Sequence, residues 1–327
     1  MTEAPVTVSP AILAWAARIT QLSSALPDLT SADVAARRAA ERRLSDAVAR
    51  EFCAPRATGV GIRNDIVRTR AGSLTIRRYL PDGLATPAPT EVFLHGGGFI
   101  SGSIHEIIND RLLTARARSV RIQVISVDYR LAPEHRYPAA VDDAIAVIDL
   151  LCEQPRRFGV DAGRIGIAGA SAGAAIAASA ALRLRDRGDI TLIHQSLEVP
   201  AVALTAFGPS AVQFAHGFGM DGYQELPALY LDDNGSNAYA QPLLADDLSG
   251  LPPTFVQVAE LDPLRDAGLA YGERLRDAGV PTVVCVGAGH VHGSPGLTAT
   301  FAPARTWQRR SAAAARLAYR HRAHPAA

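Results

Sequence analysis

The sequence predicts an α/β fold in which a mostly parallel central sheet is flanked by helices and carries a helical cap. Beyond residue 91, short apolar runs alternate with helical segments, which is the pattern of parallel strands joined by crossover helices. Segment 204–247 breaks this rhythm, because it is rich in Gly, Asp, Asn and aromatic residues and has no clean period. We therefore expect this segment to fold over the carboxyl edge of the sheet.

The predicted elements divide the chain into a core and two cap segments. Residues 1–60 read as an N-terminal helical cap segment, 61–203 and 248–327 as the core, and 204–247 as a cap insertion. The core opens with an antiparallel hairpin at 65–79, recognised by alternation around a glycine turn. The predicted parallel strands are 91–94, 122–127, 165–168, 255–258 and 282–286, and the predicted helices lie near 106–118, 139–154, 172–185, 267–278 and 303–321.

Composition excludes several classes of function. Of the 327 residues, 48% are hydrophobic and 20% are charged, which is typical of a soluble globular protein. The net charge of +1 gives no bias toward nucleic acid or a membrane surface. Every one of the 33 Lys or Arg residues is Arg. Without lysine there is no Schiff-base enzyme, no lysine-bound pyridoxal phosphate and no Walker-type phosphate loop. We expect no cofactor and a small-molecule partner.

Other global features predict a cytoplasmic protein. The first residues lack the basic and apolar regions of a signal peptide, and no apolar run reaches about eighteen residues. Three cysteines at wide spacings, Cys53, Cys152 and Cys285, lack the pairing of a zinc site or a disulfide framework. We expect no metal, no membrane contact and no nucleic-acid partner, and we expect that the chain can form a homodimer.

A candidate nucleophile stands between a predicted strand and a predicted helix. Gly169-Ala170-Ser171-Ala172-Gly173 matches G-x-S-x-G, and an alanine-rich, helix-favouring stretch follows it. In this context the pattern forms a tight elbow that lifts the serine oxygen above the sheet edge. The helix amino terminus then faces any negative charge that develops beside Ser171.

A second glycine-rich motif, His95-Gly96-Gly97-Gly98-Phe99, follows an earlier strand. Because glycines carry no side chain, their backbone amides can approach a substrate oxygen closely. An H-G-G-G segment at this place supplies part of an oxyanion hole in hydrolases that also carry the serine elbow.

An acid and a histidine must follow the serine in the chain to complete a triad. Asp262 and His292 each stand just past a predicted strand, at the sheet edge where open α/β folds place their chemistry. The competing acids are Glu260 and Asp266, and the competing histidines are His290 and His105. His290 and His292 together suggest a metal pair, but no third ligand is near, which favours a single catalytic imidazole.

With these residues the chain resembles the hormone-sensitive-lipase-like carboxylesterases, the bacterial family IV lipolytic enzymes of the α/β-hydrolase fold. The resemblance runs from about residue 60 to the C-terminus. It is carried by the two glycine motifs, by 128–134 (Asp-Tyr-Arg-Leu-Ala-Pro-Glu), by 260–266 (Glu-Leu-Asp-Pro-Leu-Arg-Asp) and by His292-Gly293. It implies an oxyanion hole from the amides of Gly97, Gly98 and Ala172, a triad of Ser171, Asp262 and His292, and a cap formed by the N-terminal helices and the insertion.

The sequence departs from the family pattern beside its proposed nucleophile. The elbow of the family reads G-D-S-A-G-G, whereas Ala170 and Ala174 stand here in place of the acid and the last glycine. The residue after His292-Gly293 is Ser294 instead of phenylalanine. In the 128–134 segment, Tyr129, Arg130 and Glu134 are expected to brace the loops behind the glycines and to take no part in the chemistry.

The expected function is that of a serine carboxylesterase, which hydrolyses a small or medium soluble ester through an acyl-enzyme. Alternatives are a deacetylase, amidase or acyltransferase with the same triad, a lyase or cyclase that acts on a natural product, and a non-catalytic binding protein. The arginine-rich run 305–322 is expected to form an amphipathic helix on the sheet. The expected pocket residues are Phe99, Trp15, Phe207, Phe214, Phe218 and Tyr223.

Overall fold

The computed structural model of this chain describes residues 7–218, 220–231 and 238–320. Parts of the predicted cap segments and of the predicted core therefore lie outside the described residues. An eight-stranded sheet forms the centre of the molecule. The strands are β1 (Val60–Thr69), β2 (Gly72–Pro81), β3 (Ala88–Leu94), β4 (Gln123–Val127), β5 (Val160–Ala170), β6 (Gln195–Glu198), β7 (Thr254–Leu261) and β8 (Thr282–Val291).

The strand order across the sheet is β1-β2-β4-β3-β5-β6-β7-β8. β1 pairs with β2, and β2 with β4, in antiparallel fashion, while every other pairing is parallel. The hairpin at the edge and the parallel centre confirm the predicted fold class. Parallel order brings the carboxyl ends of β3, β5, β7 and β8 to one edge, where all the motifs of the sequence analysis lie.

Helices cover both faces of the sheet. α3 (Ile107–Val120) and α10 (Ala302–Arg320) pack on one face against apolar side chains such as Phe93 and Val124. The other face is covered by α4 (Ala139–Glu153), α6 (Ala172–Arg187) and α9 (Arg265–Asp277). α6 is rich in alanine, a strong helix former, and its small side chains allow it to lie buried under the elbow. The helices are α1 (Pro10–Ser23), α2 (Val34–Phe52), α3 (Ile107–Val120), α4 (Ala139–Glu153), α5 (Pro155–Phe158), α6 (Ala172–Arg187), α7 (Ser210–Gln213), α8 (Leu226–Tyr230), α9 (Arg265–Asp277) and α10 (Ala302–Arg320).

The C-terminal helix is amphipathic, as predicted. Trp307, Ala312 and Ala315 of α10 are buried, while Arg309 and Arg310 are exposed. Within the part of the chain that the structure describes, no helix is long and apolar enough to cross a membrane.

Candidate active site

Ser171 occupies the sharp turn between β5 and α6. Its backbone has φ 55° and ψ −119°, a combination that non-glycine residues rarely adopt. The Ser171 N–H donates to the Glu198 carbonyl (2.8 Å), and the Ser171 carbonyl accepts from the N–H of Ala174 (3.0 Å). Hydrogen bonds from β6 and from the first turn of α6 thus hold the strained turn in place.

Close packing of the first turn of α6 explains the glycines of the elbow. A Cβ atom on Gly173 would overlap the carbonyl groups of Leu94 and His95 at the end of β3. A Cβ atom on Gly169 would overlap the Gly173 carbonyl. Only residues without a side chain let α6 begin directly beside β3, so the spacing of the motif is a packing requirement.

The structure brings Ser171, His292 and Asp262 into one hydrogen-bonded chain. His292 Nε2 lies 2.8 Å from Ser171 Oγ, and His292 Nδ1 lies 2.8 Å from Asp262 Oδ2. Asp262 is 1% exposed, and its other oxygen accepts the N–H of Leu264 (2.9 Å). A buried, fixed carboxylate thus orients the imidazole toward the serine.

The competing acids have other partners. Glu260 Oε2 accepts the N–H of Gly289 (2.6 Å) at the neighbouring strand. Asp266 Oδ2 accepts the N–H of Ser210 (2.7 Å), and its other oxygen pairs with Arg265. Both carboxylates therefore hold loops around the site.

The competing histidines also have other contacts: the carbonyl of His105 accepts a hydrogen bond from Arg42 of α2 (3.1 Å). His290 is buried and its Nδ1 lies 2.7 Å from the Ser294 hydroxyl oxygen, while the Ser294 hydroxyl donates its hydrogen to the Val291 carbonyl (2.9 Å). Burial lowers the pKa of His290 to about 4, so its ring is neutral at physiological pH. Ser294, at the place of the family's phenylalanine, thus ties His290 into the turn that carries His292.

The glycine loop after β3 lies beside Ser171. Gly97 and Gly98 have φ values of 128° and 61°, and the Gly97 carbonyl accepts hydrogen bonds from both the N–H and the hydroxyl of Ser101 (2.9 and 3.0 Å). Ala172 is the first residue of α6, so its N–H has no acceptor within the helix. These three residues line the two cavities that meet at Ser171.

The 128–134 segment braces this loop, as expected. The Tyr129 hydroxyl donates to the His95 carbonyl (2.7 Å), and the two rings stack with centroids 4.3 Å apart. Glu134 makes a two-point contact with Arg38 of α2 (2.9 and 2.7 Å). This segment therefore connects the glycine loop to the N-terminal helices.

Two cavities open at Ser171. The larger has a volume of about 910 Å³ and contains Ser171 and His292 in its wall. Side chains of α2, of α3 and of the 220–229 segment also line this cavity. The smaller, of about 30 Å³, lies on the side of Gly98, Phe99 and Ala172.

Only two of the predicted pocket aromatics line a cavity. Tyr223 borders both cavities and Phe99 borders the smaller one. The other four do not line either of these two cavities, and their contact with a substrate stays a prediction. Trp15 packs on Gly293, Phe214 is buried under Arg265 and beside Phe218, and Phe207 is 40% exposed.

Sequence reasoning missed the charged residues in the wall of the larger cavity, among them Glu41, Glu106, Arg116 and Glu198. Burial raises the pKa of Glu106 to about 7, and the carboxylates of Asp46 and Glu41 add to the increase. Glu198 receives hydrogen bonds from Trp307 Nε1 (2.8 Å) and Ser311 Oγ (3.0 Å). For Glu198, the only signal available in the sequence was a charge between two apolar residues, Leu197 and Val199.

Metal-binding side chains do not gather at this site or elsewhere in residues 7–218, 220–231 and 238–320. No group of three His, Cys, Asp or Glu side chains there is placed to hold a metal ion. The groups that the site presents are a serine hydroxyl, an imidazole, a carboxylate and backbone amides.

The chain is similar in sequence to proteins that are named as esterases. A family model described as the alpha/beta hydrolase fold matches residues 91–295. Esterase LipI of Mycobacterium tuberculosis is 39% identical over 243 residues, which cover 72% of this chain and 75% of the relative. An arylesterase of Saccharolobus solfataricus is 38% identical over 211 residues, covering 62% and 67% of the two chains.

Solved structures agree with these relatives. An ester hydrolase from the metagenome of Lake Arreo, complexed with a bipyridine phosphonate derivative, superposes with a TM-score of 0.87 at 32% identity, covering 96% of this chain and 100% of the other. A bacterial heroin esterase superposes with a TM-score of 0.84 at 31% identity, covering 96% and 99%.

Proposed function

This chain belongs to the hormone-sensitive-lipase-like carboxylesterase family of the α/β-hydrolase fold, and we propose that it hydrolyses a small or medium carboxylic ester through an acyl-enzyme formed on Ser171. The observation that carries the proposal is the chain of two 2.8 Å contacts from Ser171 through His292 to Asp262. In the first step His292 accepts the proton of the attacking Ser171 hydroxyl, and the Asp262 carboxylate stabilises the positive imidazole.

The amides of Gly97, Gly98 and Ala172 form the proposed oxyanion hole. As the ester carbonyl becomes tetrahedral, its oxygen gains negative charge, which these donors and the amino terminus of α6 stabilise. His292 then gives its proton to the departing alcohol. Water repeats the attack on the acyl-enzyme, with His292 again as base, and releases the acid and free Ser171.

The proposed cap consists of residues 1–60 and 204–247. Its support is that α2 and the 220–229 segment contribute to the wall of the larger cavity. Arg38 of α2 anchors one of these segments to the core, because it donates to the carbonyls of Ile100 and Ala132 (both 2.7 Å). The homodimer, the cytoplasmic location and the absence of a nucleic-acid partner stay predictions.

Ester hydrolysis is favoured over the other chemistries of the same scaffold. The relatives and solved structures reported above are named as ester-cleaving enzymes. None of them supports an amidase, a lyase or a binding protein. The geometry around Ser171 and the names of the relatives therefore both support ester hydrolysis.

Replacement of the proposed nucleophile tests this function. Ser171→Ala is expected to lower kcat for p-nitrophenyl acetate on the order of 10⁶-fold, because the remaining groups cannot form an acyl-enzyme. Ser179→Ala is the matched control, since Ser179 is a buried serine of the adjoining helix α6 whose hydroxyl has no hydrogen-bond partner in the described structure. Full activity of Ser171→Ala would contradict the proposal.

A further inference from the structure

Part of the wall of the larger cavity belongs to the sheet face that carries α3 and α10. Ala170 and Glu198 are register partners in β5 and β6, and side chains of paired residues point to the same face. Phe93 lies on this face too, because it pairs with Ala168, two residues before Ala170. We call this part of the cavity the Ala170 arm, which is lined by Phe93, Leu113, Arg116, Ala170, Glu198 and Gln308.

Ala170 leaves the arm open. It is half-buried, whereas Ala168 on the same strand is 1% exposed, so the Ala170 methyl group faces the cavity. Any larger residue at this position would extend into the arm, since strand geometry fixes the direction of its Cβ atom. The aspartate of the family motif, beside Glu198, would also place two carboxylates together.

The charged groups that line the arm, Arg116 and Glu198, have internal partners. Arg116 makes a two-point ion pair with Glu91, and its third nitrogen donates to Ser311. Glu198 accepts hydrogen bonds at both oxygens, from Trp307 and Ser311. Because these groups are already satisfied, a polar substituent would have to displace an existing bond, and an apolar group fits the arm better.

The position of His292 indicates which part of an ester enters the arm. The departing alcohol oxygen must lie within reach of the imidazole that protonates it. His292 lines the larger cavity but is not among the described residues around the smaller one. Gln308 connects the turn of His292 to the arm, since its Nε2 donates to the Pro295 carbonyl (3.1 Å).

The smaller cavity suits a short acyl group. Its volume is about 30 Å³, and its lining includes Phe99, Ala201, Leu204 and Leu226 around Ser171. A cavity of roughly 10–15 Å³ holds one group of the size of a water molecule. The smaller cavity therefore holds about two such groups. That corresponds to the chain of an acetyl or propionyl ester.

We propose that Ala170 is a specificity-determining residue, and that its arm takes the apolar, bulky alcohol part of a short-chain ester such as an aryl acetate. This assignment rests on the proposed function, since it presumes that Ser171 is acylated and that His292 protonates the alcohol. Beyond that function, it assigns the alcohol part of the ester to the larger cavity and the acyl group to the smaller one.

Two filling variants and one control test the assignment on the full-length enzyme. Ala170→Leu fills the arm from the sheet, and Gln308→Phe fills it from α10 without touching the elbow. Leu229→Phe adds similar bulk to the cap side of the same cavity. Each enzyme is assayed by proton release on methyl, phenyl and 2-naphthyl acetate, and on methyl esters of acids from acetate to octanoate.

The filling variants are expected to lower kcat/KM for 2-naphthyl acetate by about 10–200-fold, while methyl acetate changes less than about threefold. Leu229→Phe should not show this discrimination. Equal losses on methyl and naphthyl acetate, losses that follow acyl length, or the same discrimination in the control would overturn the assignment. If Ala170→Leu fails to fold, Gln308→Phe decides. Failure of the proposed function looks different, because the unmodified enzyme would then hydrolyse none of these esters.

Discussion

Asp262 Oδ2 lies 2.8 Å from His292 Nδ1, in a position where the carboxylate is almost completely shielded from solvent. The replacement Asp262→Asn keeps the shape but presents an amide to the imidazole, which favours the wrong tautomer. We expect kcat for p-nitrophenyl acetate to fall about 10⁴-fold with little change in KM. Asp266→Asn, nearby at the start of α9, should keep most of the activity. A loss below tenfold in Asp262→Asn would show that another group orients His292.

Gly97 and Gly98 are expected to differ sharply in tolerance to alanine. A Cβ atom on Gly97 would overlap the backbone of Ser101, and its φ of 128° suits glycine alone. A Cβ atom on Gly98 would meet the end of the Leu226 side chain, which can move, at a φ of 61°. Gly97→Ala should therefore lower kcat by about 10²–10³-fold, as the loss of one oxyanion donor does.

The same kinetic assay on Gly98→Ala provides the comparison. We expect a smaller loss, because the Leu226 side chain can yield without displacement of the backbone. Equal activity of the two variants would contradict the close approach of Gly97 to Ser101.

The ion pair between Glu91 and Arg116 is expected to matter for stability. The two side chains are 0% and 5% exposed, and neutralisation of Glu91 leaves the buried Arg116 charge with only its longer contact to Glu198 (3.8 Å). Glu91→Gln should lower the free energy of unfolding by about 3–5 kcal/mol in urea titrations. Glu153→Gln removes an exposed partner of Arg70 and should cost less than about 1 kcal/mol. Similar losses in both variants would contradict the account.

The raised pKa of Glu106 predicts that the stability of the protein depends on pH. Burial, together with Asp46 and Glu41, raises its pKa from 4.5 to about 7, while Arg42 opposes the rise. Between pH 4.5 and 7 the folded state therefore binds more protons than the unfolded state, and this group lowers stability as the pH rises. Glu106→Gln should gain about 2–4 kcal/mol relative to the unmodified protein between pH 4.5 and pH 8. An equal stability difference at both pH values would contradict the raised pKa.

Much of the site could be predicted because each of its residues follows an apolar strand. Ser171, Asp262 and His292 stand at carboxyl ends of β5, β7 and β8, and parallel order makes these ends neighbours in space. The glycine spacing around Ser171 is local as well, since it reflects the packing of one helix turn. Local pattern and sheet topology were therefore sufficient for this part.

Strand β6 could not be predicted, for a physical reason. Gln195 and Glu198 are polar, and their burial depends on distant partners, Thr254 for the amide and Trp307 for the carboxylate. A four-residue strand with such ends has no apolar signature. Only the assembled sheet shows why polar residues are buried there.

The pocket lining was the least predictable part. Phe214 and Trp15 belong to a separate apolar cluster with Ile12 and Phe301, so hydrophobicity alone did not separate packing from substrate contact. Conversely, Glu41 reaches the cavity from α2 and Glu106 from the residue just before α3, and neither segment shows a motif. Which face of α2 and α3 meets the cavity is decided by tertiary packing.

The most direct test of the account is intact-protein mass spectrometry, followed by peptide mapping, after treatment with a fluorophosphonate probe. The arrangement of Ser171, His292 and the glycine amides predicts one covalent adduct per chain, located on Ser171 and lost in Ser171→Ala. A folded protein that acquires no adduct, or one whose adduct lies on another residue, would contradict the assignment of Ser171 as the nucleophile.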